Sequence, residues 1–204
     1  MPRRQRILTA GFTFHALNRG AKKSRIFECD DDYRQFEHLL ATVNDRVSVA
    51  IFAYCLMPNH WHFVIAPQAD GELSRFMYLL ATSHARRWQL IRGQCGDGAV
   101  YQGRFKAIPV SNDRHFLTVC RYVERNALRA GLVARAEDWR WSSLWRWQTG
   151  DARLLAPWPV PRPDNWMEIV NTPQTNTELE AIRAAIQTGA RFGSPTPDPI
   201  TNRK

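Results

Sequence analysis

The chain has 204 residues and a net charge of +9, from 28 Lys and Arg against 19 Asp and Glu. With 44% apolar and 23% charged residues it is neither a disordered chain nor a membrane span, since no stretch approaches roughly 18 uninterrupted apolar residues. That length supports one well-cored domain with an appendage, or two small domains at most.

In chain order, residues 7–17 are rich in β-formers and predict a first strand. Asp30–Asp32 can open a helix, which Tyr33, Phe36, Leu39, Leu40 and Val43 continue along one face. Residues 47–56 and 61–66 predict two strands joined by the turn Met57-Pro58-Asn59-His60. Gly71 introduces a long helix through Leu73, Phe76, Met77, Leu80, His84 and Trp88, and a loop with Gly93, Gly96 and Gly98 follows. Residues 105–110 predict a short strand. Asn112 or Asp113 then caps a helix running through Phe116, Cys120, Val123 and Leu128, which Gly131 stops. The order βαββαβα predicts an α+β fold, a ferredoxin-like antiparallel sheet with helices packed on it. Eight of the twelve prolines lie beyond residue 150, so residues 1–150 are expected to form the domain. Residues 151–204 then form a Pro-rich C-terminal extension, with one helix from Thr177 to Ile186.

Residues 151–204 carry six basic and six acidic side chains, so the whole excess of +9 lies in residues 1–150. A basic body fits a polyanionic partner, although an Arg-rich, Lys-poor balance also follows from genomic base composition. Cys29, Cys55, Cys95 and Cys120 form no close pair, which argues against a zinc cluster or disulfide scaffold. The N-terminus is too polar for a secretory signal. A cytoplasmic protein with reduced thiols is expected.

Two clusters can do chemistry. On a strand, His60 and His62 point the same way, about 7 Å apart, while Trp61 points into the core. Two such imidazoles can hold one divalent metal if a third ligand comes from elsewhere; alone, the pair is equally a surface or packing feature. Tyr122 and Asn126, four apart on one helix, share a face. The amide oxygen can complete a metal site and the phenol can serve as a nucleophile, with Arg121, Arg125 and Arg129 nearby for phosphates. The alternative is a packed aromatic beside a surface amide.

Taken together, the clusters resemble a known family. Met57-Pro58-Asn59-His60-Trp61-His62-Phe63-Val64 is similar to the metal-binding strand of the HUH single-tyrosine transposases, and residues 121–133, Arg-Tyr-Val-Glu-Arg-Asn-Ala-Leu-Arg-Ala-Gly-Leu-Val, resemble their nucleophile helix. Phe14-His15-Ala16-Leu17-Asn18-Arg19-Gly20, Tyr101-Gln102-Gly103-Arg104-Phe105-Lys106 and Trp139-Arg140-Trp141-Ser142-Ser143 narrow the resemblance to the REP-associated tyrosine transposases. It covers roughly residues 7–147 well and the tail loosely. One departure is Ala127, where that branch usually has proline; alanine predicts a more regular helix.

The resemblance implies an endonuclease and strand transferase acting on single-stranded DNA hairpins of the REP type. His60, His62 and Asn126 would hold Mg²⁺ or Mn²⁺, and Tyr122 would form a 5′-phosphotyrosine. DNA contacts are expected from Asn18, Arg19, Arg104 and Lys106 near strand ends, from Arg121, Arg125 and Arg129, from Arg86 and Arg87 on the long helix, and from the basic arm Arg3, Arg4 and Arg6. Each of these basic groups is also readable as solvated surface. His15 reads as a packed histidine outside the metal set. Trp139, Trp141, Trp145 and Trp147 read as packing between tail and body rather than base stacking. Family members with an extended tail are monomers, which implies a monomer acting in cis, in the cytoplasm at the nucleoid. Two other readings stay open: a DNA-hairpin binding protein that does not cut, and a metal-dependent nuclease in which water attacks.

Overall fold

In the computed structural model, which describes residues 8–192, four strands make one antiparallel sheet. They are β1 (Phe14–Arg19), β2 (Val49–Met57), β3 (His60–Pro67) and β4 (Lys106–Pro109), in the order β2-β3-β1-β4. This is the interleaved arrangement of two split βαβ units, the ferredoxin-like layout expected from the element order. The crossovers are α1 (Asp30–Arg46) and α2 (Glu72–Ile91), which pack on one face of the sheet. Helix α1 begins on Asp30, Asp31 and Asp32, whose charges favour a helix N-terminus; Asp32 also accepts from the Glu28 backbone at 2.8 Å. Among the described residues, no helix is long and apolar enough to cross a membrane.

The sheet is buried on both faces. Phe14 and Ala16 of β1 and Trp61, Phe63 and Ile65 of β3 face α1 and α2. The opposite face is covered by α3 (Asp113–Glu124), the short α4 (Asn126–Arg129), α6 (Trp166–Asn171) and α7 (Asn176–Thr188), with α5 (Ser143–Thr149) beside them. A register shift between Ile51 and Ala53 inverts the alternation of β2, so Phe52 and Ala53 both join the α3 side and Cys55 and Met57 follow. Both faces of β2 are apolar, and no alternation in its sequence marks the bulge.

The helix expected to run unbroken to Leu128 instead ends at Glu124, and α4 restarts at Asn126. The break occurs with Ala127 in place, so no proline is needed to produce it. Gly131 then takes a left-handed φ of 69° and closes the turn.

Beyond residue 150 the chain lies along the body. The Ala156 N–H donates to the Ile51 carbonyl at 2.8 Å, and Trp158 Nε1 donates to the Phe52 carbonyl at 2.8 Å. Arg162 lies between the rings of Trp147 and Trp158, 4.9 and 4.7 Å from their centroids. Buried Glu124 accepts from Trp166 Nε1 and from Ser143 Oγ, both at 2.6 Å. Besides α7, expected over residues 177–186, the extension forms α6, whose six residues are too few to show a helical period. Trp139 and Trp141 pack into the body, Trp141 stacked on Tyr33 at 4.9 Å. Gly193 and the prolines that follow it lie outside the described residues, as do Arg3, Arg4 and Arg6.

Candidate active site

The turn between β2 and β3 is two residues long, and its backbone is pinned from outside. The Pro58 carbonyl accepts from the N–H groups of Ile26 and Phe27 at 2.8 and 3.0 Å, and the Asn59 carbonyl accepts from Gly20 N–H at 2.9 Å. This holds the start of β3 in place. His60 and His62 then project from the face opposite Trp61, with ring centroids 4.9 Å apart. Trp61 is fully buried and donates through Nε1 to the Tyr101 hydroxyl at 3.1 Å, so the strand is anchored between the two histidines from behind.

Each imidazole has its Nδ1 engaged. His60 Nδ1 lies 2.6 Å from Asn59 Oδ1, and His62 Nδ1 lies 2.9 Å from Nε2 of His15 on β1. Burial is the main reason all three histidines are hard to protonate. It pushes His60 down to about 4, with Arg19 and Arg129 adding to the effect. His15 is pushed down to about 3, with Arg129 second. His62 lies well below its ordinary value, with His60 and His15 the next causes after burial. At neutral pH the rings are neutral and hold lone pairs.

Tyr122 reaches this face from the last turns of α3. It is 5% exposed, and its ring is edge-on to those of His62 and His15, each with a centroid distance of 5.8 Å. Asn126 starts α4 and is also buried. Arg129 ties the two together: its guanidinium carbon lies 4.2 Å from the Tyr122 ring centroid, and its Nη2 donates to Asn126 Oδ1 at 2.8 Å. Asn126 Nδ2 is buried with no hydrogen-bond partner among the described residues.

A cavity of about 500 Å³ is lined by Asn18, Arg19, His60, His62, Lys106, Tyr122, Asn126 and Arg129. The structure therefore brings together eight of the side chains singled out from the sequence. It places others elsewhere. Arg104 lines a larger adjoining cavity of about 1360 Å³ together with Arg86 and Tyr78, and Asn18 borders both cavities. Arg121 and Arg125 turn to the C-terminal segment. Arg121 Nη2 donates to the carbonyls of Thr172 and Pro173, and Arg125 Nη1 to those of Val170 and Asn171. Sequence reasoning missed Gln102, which follows Tyr101, and Arg183 and Gln187 of α7, all of which line the smaller cavity. It also missed the contact of His15 with His62. For Gln102, its place beside Arg104 was the one available signal; for the α7 pair there was none.

Among the described residues no three His, Cys, Asp or Glu side chains form a metal cluster.

The family model described as "Transposase IS200 like" matches residues 9–126, a span that includes both strand histidines, Tyr122 and Asn126. A solved REP-associated tyrosine transposase bound to a REP hairpin has a similar fold, with a TM-score of 0.60, 19% identity, and coverage of 86% of this chain and 92% of that one. A Deinococcus radiodurans protein described as a candidate transposase is more distant, at TM-score 0.42 and 12% identity, covering 61% of this chain and 95% of that one. No curated protein matches by sequence. The family model takes in the pinned turn, the two-histidine strand and the helix that carries Tyr122, and the chain belongs to the IS200-like transposases.

Proposed function

We propose that this transposase cleaves and rejoins single-stranded DNA at hairpins of the REP type, with Tyr122 as the nucleophile. The observation that carries the reading is the edge-on approach of Tyr122 to His62, 5.8 Å between centroids, inside one cavity of one chain. Both halves of the site come from the same molecule, which supports a monomer acting in cis. The fold shared with a REP-hairpin-bound transposase supports the substrate class. A chromosomal hairpin as substrate puts the protein in the cytoplasm at the nucleoid.

The residues present fit a divalent cation. His60 and His62 are neutral, their Nδ1 atoms are engaged, and their Nε2 atoms make no hydrogen bond among the described residues, on the same face. The Asn126 oxygen accepts from Arg129 and keeps a second lone pair for a cation. His60, His62 and Asn126 would hold Mg²⁺ or Mn²⁺, and the mixed imidazole and amide set suits Mn²⁺ at least as well as Mg²⁺. When bound, the ion supplies polarisation of the scissile phosphate and stabilisation of charge on the leaving oxygen.

Tyr122 Oη attacks phosphorus. The P–Oη bond forms, the P–O3′ bond breaks, the phenol proton leaves, and the departing 3′ oxygen ends as a hydroxyl. An unassisted phenol is protonated at neutral pH, so this step needs help in losing its proton. Attack by a second 3′-hydroxyl on the phosphotyrosine reverses the bond changes and joins the strands without a nucleotide cofactor. Arg129, Arg19 and Lys106 supply positive charge to the phosphates. The adjoining cavity, with Arg86 and Arg104, lies beside Asn18 on a path for unpaired DNA.

The test mixes protein, labelled hairpin DNA and Mn²⁺, followed by a denaturing gel beside Tyr122→Phe. A label that stays on the wild-type protein and is absent from the variant is the expected result. Cut DNA without an adduct would replace this reading with water attack. Binding without cutting across several hairpins would replace it with a binding protein.

A further inference from the structure

A neutral imidazole carries one proton, and which nitrogen carries it decides whether the other can donate a lone pair. For His60 the choice is dictated. Asn59 Nδ2 donates to the Lys23 carbonyl at 3.1 Å, which orients the amide so that its oxygen faces His60 Nδ1 at 2.6 Å. An amide oxygen only accepts, so His60 is protonated at Nδ1 and its Nε2 holds the lone pair.

For His62 the partner is another imidazole, which either accepts or donates. His15 Nε2 lies 2.9 Å from His62 Nδ1, the rings stack at 5.1 Å between centroids, and both residues are buried. If His15 donated, the proton of His62 would move to Nε2 and close that nitrogen to any cation. Nothing in the surroundings requires this. His15 Nδ1 makes no hydrogen bond among the described residues and is not one of the fully enclosed unpartnered nitrogens, so it can carry the His15 proton towards solvent.

We infer that His15 is a positioning residue for His62: its Nε2 accepts the Nδ1 proton of His62 and so presents the His62 Nε2 lone pair on the same face as that of His60. The consequence for metal binding rests on the ligand roles proposed above, whereas the tautomer does not. β1 and β3 are neighbours in the sheet, with Leu17 opposite His62 and His15 opposite Val64. That register places His15 diagonally across from His62, within reach of a long side chain. The strand that carries Asn18 and Arg19 to the cavity thus also sets the chemistry of the second histidine.

The experiment uses the full chain, labelled with ¹⁵N at histidine and measured by long-range ¹H–¹⁵N correlation without added metal. The expected spectrum shows His62 protonated at Nδ1 in the wild type; a His62 protonated at Nε2 overturns the inference outright. Two variants add a second reading. His15→Gln offers an oxygen that can accept the same proton, and His15→Leu offers nothing. The Gln variant is expected to keep the wild-type tautomer and the Leu variant to lose it. Mn²⁺ affinity, read from the magnetic resonance signal of free Mn²⁺, is expected to fall about 10- to 100-fold in the Leu variant and to stay near wild type in the Gln variant. Unchanged tautomer and affinity in a folded Leu variant would overturn the inference. A wild-type protein that takes up no Mn²⁺, yet whose His62 tautomer depends on residue 15, would sink the metal reading and leave the positioning role standing. Should the Leu variant not fold, the wild-type spectrum decides by itself.

Discussion

The Arg129 guanidinium carbon lies over the Tyr122 ring, 4.2 Å from its centroid, and the same group donates to Asn126 Oδ1. One side chain therefore contacts both the ring of the proposed nucleophile and the amide oxygen of the proposed third ligand. A cation over an aromatic face is worth roughly 0.5–2 kcal/mol, enough to select one Tyr122 orientation. Arg129 also adds to the depression of the His15, His60 and His62 pKa values.

Arg129→Ala is expected to lower the cleavage rate at least tenfold while hairpin binding weakens only a few-fold, because one phosphate contact is lost but nucleophile geometry is lost with it. Arg129→Lys should recover binding but not rate, since an ammonium cannot cover the ring and grip the amide as a planar fork does. Single-turnover cleavage beside a binding titration measures both. Equal losses in rate and binding would show that Arg129 acts only through phosphate attraction.

The arginines divide by what their guanidinium groups touch. The side chains of Arg86 and Arg104 line the larger cavity with no ion pair or hydrogen bond among the described residues, whereas Arg125 spends Nη1 on two carbonyls of the extension. Replacing Arg104 with alanine should weaken hairpin binding and reduce the salt dependence by about one phosphate contact. Arg125→Ala should instead lower thermal stability, by about 1–3 kcal/mol for the carbonyls left without a donor, with the salt slope unchanged. Binding isotherms at several salt concentrations, with melting curves, separate the two classes. A salt slope altered in Arg125→Ala alone would reverse the division.

The buried histidines set a pH dependence of stability. His84, on the far side of the sheet from the candidate site, has Nδ1 2.7 Å from the Tyr101 hydroxyl and is pushed down to about 4, chiefly by burial. Its folded value lies below the ordinary 6.5, so between about pH 6.5 and pH 4 the unfolded chain binds a proton that the native chain does not. Stability is therefore full above 6.5 and declines as the pH falls through that window. His15 and His60 act in the same direction. Denaturant unfolding at pH 7.5, 6 and 5 should show the decline, and His84→Gln should flatten it by up to about 1.4 kcal/mol per pH unit. A wild-type stability that is constant from pH 7.5 to 5 would contradict the assignment.

Much of this protein was legible in the sequence. The strand and helix order follows from apolar periodicity and from turn residues such as Pro58 and Asn59, because local backbone preferences and the burial of one face act over short stretches of chain. His60 and His62 share a face by strand geometry alone, and the spacing of Tyr122 and Asn126 placed them near each other even though the helix between them breaks at Arg125. The tertiary structure decided what depends on contacts distant in sequence. The bulge at Phe52 and Ala53 is hidden because β2 is apolar on both faces. Arg121, Arg125 and Arg129 look alike in sequence, yet two grip the extension and one grips Tyr122, since a guanidinium goes to whichever acceptors the fold brings within reach. The partnership of His15 with His62 joins residues 47 positions apart; it exists only because the sheet register sets β1 beside β3, and no local pattern in the chain encodes that register.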